Sequence, residues 1–100
     1  MVDSARLRFK PGRVVATPSA LQLITAARQS PLQFVTRHVC GDWGVISPAD
    51  RVLNDEALQD GSRIISAYTV AGHRNIWIIT DAADDQGRRE STTILLPEEY

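Results

Sequence analysis

Three times in its first half this chain places a hydroxyl residue directly before a proline: Thr17-Pro18, Ser30-Pro31 and Ser47-Pro48. A Ser or Thr side chain accepts hydrogen bonds from the first free amides of a helix. Proline suits the first helical position, where its missing N–H has no intrahelical partner to lose. Each pair therefore predicts a helix start. After the first, Leu21, Ile24 and Ala27 or Arg28 follow at helical spacing, with Leu23 beside them. The second adds Gln33 three residues after Ser30, which makes a capping box. Its apolar stripe is Leu32, Val35 and Val39, and Gly41 supplies a stop able to take positive φ. In the third, Val52, Leu53 and Ala57 are expected to face inward, with Gly61 ending the helix.

The pattern changes after Gly61. Ile64, Ile65, Ala67, Tyr68 and Val70 form a run rich in β-formers with polar residues interleaved. Residues 71–75 have the length of a hairpin turn, and Ile76-Trp77-Ile78-Ile79-Thr80 is the strongest strand signal in the chain. A polar loop follows over residues 81–89, and Thr92-Thr93-Ile94-Leu95-Leu96 is a third strand stopped by Pro97. Arg13-Val14-Val15-Ala16 reads as a short strand or extended arm ahead of the first helix. Helices first and strands last is the segregated α+β pattern. The expectation is one α+β domain over residues 1–100, three short helices packed on a three- to four-stranded antiparallel sheet, with residues 1–12 as a flexible arm.

One hundred residues, 43% of them apolar, suffice for a single core without staples. No apolar run approaches the roughly 20 residues that span a bilayer. The lone Cys40 allows no internal disulfide and suits a reducing compartment, so a cytoplasmic chain with no membrane partner is expected. The net charge of −1 hides an asymmetry. Residues 1–39 carry six cations against Asp3 alone, whereas residues 40–100 carry five arginines against eleven carboxylates. A basic half invites an anionic partner, and nucleic acid is the usual one.

Residues 37–44 are the densest in chemistry: Arg37, His38, Cys40, Asp42 and Trp43 gather where the second helix gives way to a loop. His38 belongs to the last helical turn, where the helix dipole favours its protonated form. Asp42 is near enough to orient it or balance its charge. Trp43 brings a large apolar surface and an N–H that needs a partner when buried, so packing between helices is its plainer role. Strand alternation puts Ile64, Ser66, Tyr68 and Val70 on one face of their strand, and Ile76, Ile78 and Thr80 together on the next. Tyr68, Thr80 and Thr92 or Thr93, with Arg88 or Arg89 at the loop, are thus able to converge, or else to form a cross-strand threonine ladder on a half-solvated face.

Other motifs are missing. There is no Walker loop, G-x-G-x-x-G or H-E-x-x-H. His38 and Cys40 stand two apart and His73 is the only other soft ligand, so neither metal nor cofactor is expected.

The segments Arg37-His38, Gly41-Asp42-Trp43-Gly44, Asn54-Asp55, Ser66-Ala67-Tyr68, Ile76-Trp77-Ile78-Ile79-Thr80 and Thr92-Thr93-Ile94-Leu95-Leu96-Pro97-Glu98-Glu99-Tyr100 resemble, in that order, a functionally uncharacterised family of small bacterial proteins. That family is often carried on plasmids and integrated mobile elements, and the resemblance covers residues 37–100. It implies a mobile-element accessory protein. More loosely, helices bearing a His ahead of a sheet with Tyr, Thr and Arg are similar in architecture to barnase–EndoU–RelE-like endoribonucleases.

Two functional classes follow. In the first, the protein is a protein-binding module, a defence antagonist or toxin/antitoxin-type partner of a host protein. Trp43, Asp42, Trp77 and Tyr100 are its binding residues, because aromatics dominate such contacts. In the alternative, the protein is a metal-independent endoribonuclease acting on RNA. His38 is then general base or acid, Arg37 or Arg88 the phosphate cation, and Tyr68, Thr92 and Thr93 the hydrogen-bonding groups. The acidic second half counts against this alternative, since a sheet that holds RNA is expected to be basic.

Overall fold

All three Ser/Thr-Pro pairs open helices in the computed structural model, which describes residues 6–72 and 74–100. Helix α1 spans Pro18–Ala26, α2 Pro31–Val39 and α3 Pro48–Asp60. Thr17 Oγ1 accepts from the Ala20 amide at 3.2 Å, and Ser47 Oγ from Asp50 at 3.1 Å. At α2 the box is reciprocal: Ser30 Oγ accepts from Leu32 N–H, and Gln33 Oε1 accepts from Ser30 N–H. Strands β1 (Arg13–Ala16), β2 (Ile64–Ala71), β3 (Arg74–Thr80) and β4 (Ser91–Leu95) make one sheet in the order β1-β4-β3-β2. The chain is an α+β fold.

The sheet is mixed, which departs from the antiparallel expectation. Pairs β2/β3 and β3/β4 are antiparallel, but β1 runs parallel to β4, Arg13 opposite Ser91 and Ala16 opposite Ile94. A parallel pair needs a long crossover. Here the three helices and two strands between β1 and β4 supply it.

One face of the sheet carries Tyr68, Val70, Ile76, Ile78 and Ile94, and against it pack Ala20 and Ile24 of α1 with Phe34, Val35 and Val39 of α2. The buried rows differ from the expected stripes. Leu32 is 68% exposed and Leu53 61%, and Leu21 and Val52 are exposed as well. The reason lies in where each helix sits. Helix α2 meets the sheet along Phe34 and His38, one turn apart, which leaves Leu32 on the outside. Helix α3 lies against the sheet's edge and buries only a narrow row, Asn54 and Ala57.

That edge is closed by other groups. The Asn54 side chain donates to Ile65 C=O at 2.8 Å and accepts from Ile65 N–H at 3.2 Å, much as a neighbouring strand would. One step along, Val45 N–H donates to Ala67 C=O and Ala67 N–H to Trp43 C=O. Covering an edge in this way keeps it from pairing with other chains.

Residues 6–12, expected as part of a flexible arm, run along the body. Arg8 N–H donates to Val39 C=O at 2.8 Å, and Phe9 packs on both apolar clusters. Residues 1–5 of that arm, and His73, lie outside the described residues.

Candidate functional site

The last turn of α2 aims His38 at the sheet, where period-two alternation has lined up Ser66, Thr80 and Thr92 on the same face. The imidazole is wholly buried. Its Nδ1 lies 2.6 Å from Ser66 Oγ and its Nε2 2.8 Å from Thr80 Oγ1. Thr80 Oγ1 lies 2.7 Å from Thr92 Oγ1, and Thr92 donates to the Pro11 carbonyl at 2.7 Å.

The far end of this chain orients every proton in it. A carbonyl only accepts, so Thr92 spends its hydroxyl proton on Pro11. Thr92 then accepts from Thr80, which has no proton left and accepts from His38 Nε2–H. Nδ1 is thereby the unprotonated nitrogen and takes the Ser66 hydroxyl. His38 is a neutral Nε2–H tautomer with both nitrogens engaged. Burial drives its pKa down to about 3, with the Arg89 charge adding to the effect. The dipole argument for a protonated His38 is overridden, because desolvating a cation outweighs a partial charge.

The other candidates are dispersed. Arg37 is exposed and pairs with Asp42, its Nε 2.7 Å from Oδ2. That pair raises the Arg37 pKa and lowers that of Asp42. The guanidinium also covers the Tyr68 ring, Cζ 4.6 Å from the centroid. Asp42 therefore partners Arg37 rather than His38. The Tyr68 hydroxyl donates to Asp42 C=O at 2.6 Å, and burial raises its pKa. Trp43 is buried, donates from Nε1 to Asp55 Oδ1 at 3.1 Å and packs beside His38. Its indole is therefore packed inside the fold and not presented to solvent. Thr93 projects from the sheet face opposite Thr92, and Arg88 lies on the exposed 81–90 loop. His38 and Thr92 are thus linked through Thr80, but Arg37, Tyr68, Arg88 and Thr93 do not join them in an open cleft. An imidazole with no exposed surface and both nitrogens bonded has no lone pair to offer a 2′-hydroxyl.

A different constellation is open to solvent. Trp77 and Tyr100 sit side by side on the outer face of the sheet, ring centroids 5.4 Å apart, with the Arg63 guanidinium 5.7 Å from the Tyr100 ring. They stand in a groove of about 650 Å³ between α3 and strands β2 and β3. Exposed Leu53 and Val45 form its far wall, and Asp50, Glu56 and Asp60 also line it. Leu53 and these carboxylates were not among the expected binding residues. Their signal in the sequence was the acidic, exposed side of α3, legible only once the buried row was known. Among the described residues no cluster of three His, Cys, Asp or Glu side chains is placed to hold a metal ion, and no helix is long and apolar enough to cross a membrane.

Comparison with family models, curated proteins and solved structures returned no match.

Proposed function

We propose that this is a protein-binding accessory module, of the mobile-element kind its sequence resembles, whose partner is a host protein or a toxin/antitoxin-type counterpart. The groove between α3 and the outer sheet face is the docking surface. The observation that carries this reading is the Trp77–Tyr100 pair, an aromatic anchor flanked by exposed aliphatics in a concave site. Large aromatics in such settings hold most of the energy of a protein interface. Three carboxylates against the single Arg63 make the groove acidic, so the fitting segment presents an apolar side chain flanked by Lys or Arg.

The test is a pull-down with tagged wild-type protein against catalogued host partners, followed by titration of any retained partner. Leu53→Asp is expected to abolish retention with unchanged folding, because Leu53 is exposed. Charge reversal at Asp50 and Glu56 is expected to slow association and flatten its salt dependence. The reading fails if no partner survives washing and Trp77→Ala changes only stability.

A further inference from the structure

On the side of the molecule where residues 8–12 meet the 81–90 loop, a second cleft of about 710 Å³ is lined by Arg8, Lys10, Arg88 and Arg89. Among the described residues no carboxylate lines it. The two segments are held together closely. Arg13 N–H donates to Glu90 C=O at 3.0 Å, and Gly12 lies so near the loop that a Cβ there would sit 2.4 Å from the carbonyl oxygens of Arg89 and Glu90. Only glycine permits that approach, and the approach brings Lys10 to the same cleft as the two loop arginines.

Arg89 is the fixed part of the cleft. Its guanidinium donates to Ser62 C=O at 2.7 Å, Asp81 C=O at 3.0 Å and Ala57 C=O at 2.9 Å. Those acceptors are neutral, so they hold the cation in place without a direct ion pair; the Asp60 carboxylate, outside the cleft lining, offsets part of its charge. Burial makes that charge costly, as its lowered pKa shows. Two carboxylates, Asp60 acting on Arg89 and Asp84 on Arg88, stay charged nearby but do not line the cleft, and their oxygens are held by backbone amides. Asp60 accepts from Ser62 N–H at 2.8 Å, and Asp84 accepts from the Gln86 and Arg88 amides at 2.9 Å each.

We infer that this cleft binds a small phosphate-bearing ligand, with Arg89 as preset anchor and Arg8, Lys10 and Arg88 closing on the phosphate oxygens. Guanidinium forks match phosphate bidentately, and a cluster of four cations calls for more than one negative charge. The volume is that of a small-molecule site. A nucleic-acid strand fits less well. Phe9, the aromatic in the wall, has Arg89 over its ring and stacks against Trp43 with centroids 6.3 Å apart, so it offers no platform for a base.

Titration of ¹⁵N-labelled full-length protein with inorganic pyrophosphate tests this. Saturable amide shifts are expected in residues 8–12 and 87–90, weakening as salt rises. The double variant Lys10→Ala/Arg88→Ala, altered only at exposed positions, is expected to bind pyrophosphate at least about tenfold more weakly, the loss of one charge-assisted bond or more. Three results overturn the inference: no saturable shift at millimolar pyrophosphate, equal affinity in the double variant, or tighter binding of a single-stranded oligonucleotide than of pyrophosphate at matched salt.

Discussion

His38 Nε2 stands 2.8 Å from Thr80 Oγ1, and that hydroxyl stands 2.7 Å from Thr92 Oγ1. A helix and two strands are thereby joined through one line of protons that ends on a backbone carbonyl. Every member is buried and every member is satisfied, which is the condition under which a buried polar network adds stability and specificity instead of cost. Breaking it at any point strands a polar group away from water.

Thr80→Val keeps the shape and removes the hydroxyl, leaving His38 Nε2–H without an acceptor and Thr92 without a donor. A loss of about 1–3 kcal/mol is expected. His38→Ala removes two bonds and opens a cavity, so a larger loss of roughly 2–4 kcal/mol is expected. Urea unfolding measures both. If His38→Ala leaves the midpoint where it was, the structural role assigned to the imidazole is wrong.

The orientation of the protons is testable by itself. Ring ¹⁵N shifts at neutral pH are expected to report the Nε2–H tautomer for His38, and in Thr92→Val that preference is expected to weaken. A dominant Nδ1–H form in the wild type would reverse the direction of the whole chain.

Acid sensitivity follows from the same burial. The folded-state pKa of His38 is about 3 against an ordinary value of 6.5, so over that window the unfolded chain binds a proton that the folded one does not. Stability contributed by the neutral imidazole is complete above about 6.5 and is lost as pH falls toward 3. The slope inside the window is about 1.4 kcal/mol per pH unit. Unfolding free energies measured in its upper part, above the carboxylate range, are expected to show this slope in the wild type and to lose it in His38→Gln. A His38 ring proton that titrates near 6.5 in the folded protein contradicts it.

Two neighbouring residues on α3 are expected to behave oppositely to their hydropathy. Asn54→Ala exposes nothing apolar, yet it leaves Ile65 N–H and C=O unpaired at a covered edge and is expected to cost about 2 kcal/mol or more. Leu53→Ala, at an exposed site, is expected to stay within about 0.5 kcal/mol. Thermal unfolding of the two variants side by side decides it.

At Gly44 the φ is +77°, and a Cβ would sit 1.9 Å from the Ala67 carbonyl oxygen. Gly44→Ala is therefore expected to break the pairing of the 43–45 segment with β2 and to lower stability by at least about 2 kcal/mol. Amide exchange at Val45 and Ala67 is the local readout. Unchanged protection there would show that the loop has another way to close the edge.

Much of the fold was legible from the residues alone because its signals are local. A cap needs one hydroxyl and one free amide within a single turn, so Thr17, Ser30 and Ser47 announce their helices without reference to the rest of the chain. Strand alternation likewise put Ser66 with Ile64 and Tyr68, and Thr80 with Ile76 and Ile78, but left Thr92 or Thr93 open as the hydroxyl beside them. The errors came where a distant partner decides. Arg13 pairs with Ser91 across most of the chain, and no local pattern states whether such a pairing runs parallel. Leu32 and Leu53 look like core residues on any hydropathy scale, but their helices turn other rows inward.

The candidate site divides along the same line. Residue order establishes which groups are present and how each is spaced along its own element: an imidazole in the last turn of α2, hydroxyls in period two, aromatics at Trp77 and Tyr100. Which of them face water depends on how the helices dock on the sheet. Helix α2 docks so that His38 meets the hydroxyls in a dry interior, where desolvation keeps it neutral and its protons are committed to neighbours. Trp77 and Tyr100 are left on the open face beside an acidic helix. Solvent exposure is a property of the packed whole, and it separates the side chains able to meet a ligand from those that hold the fold together.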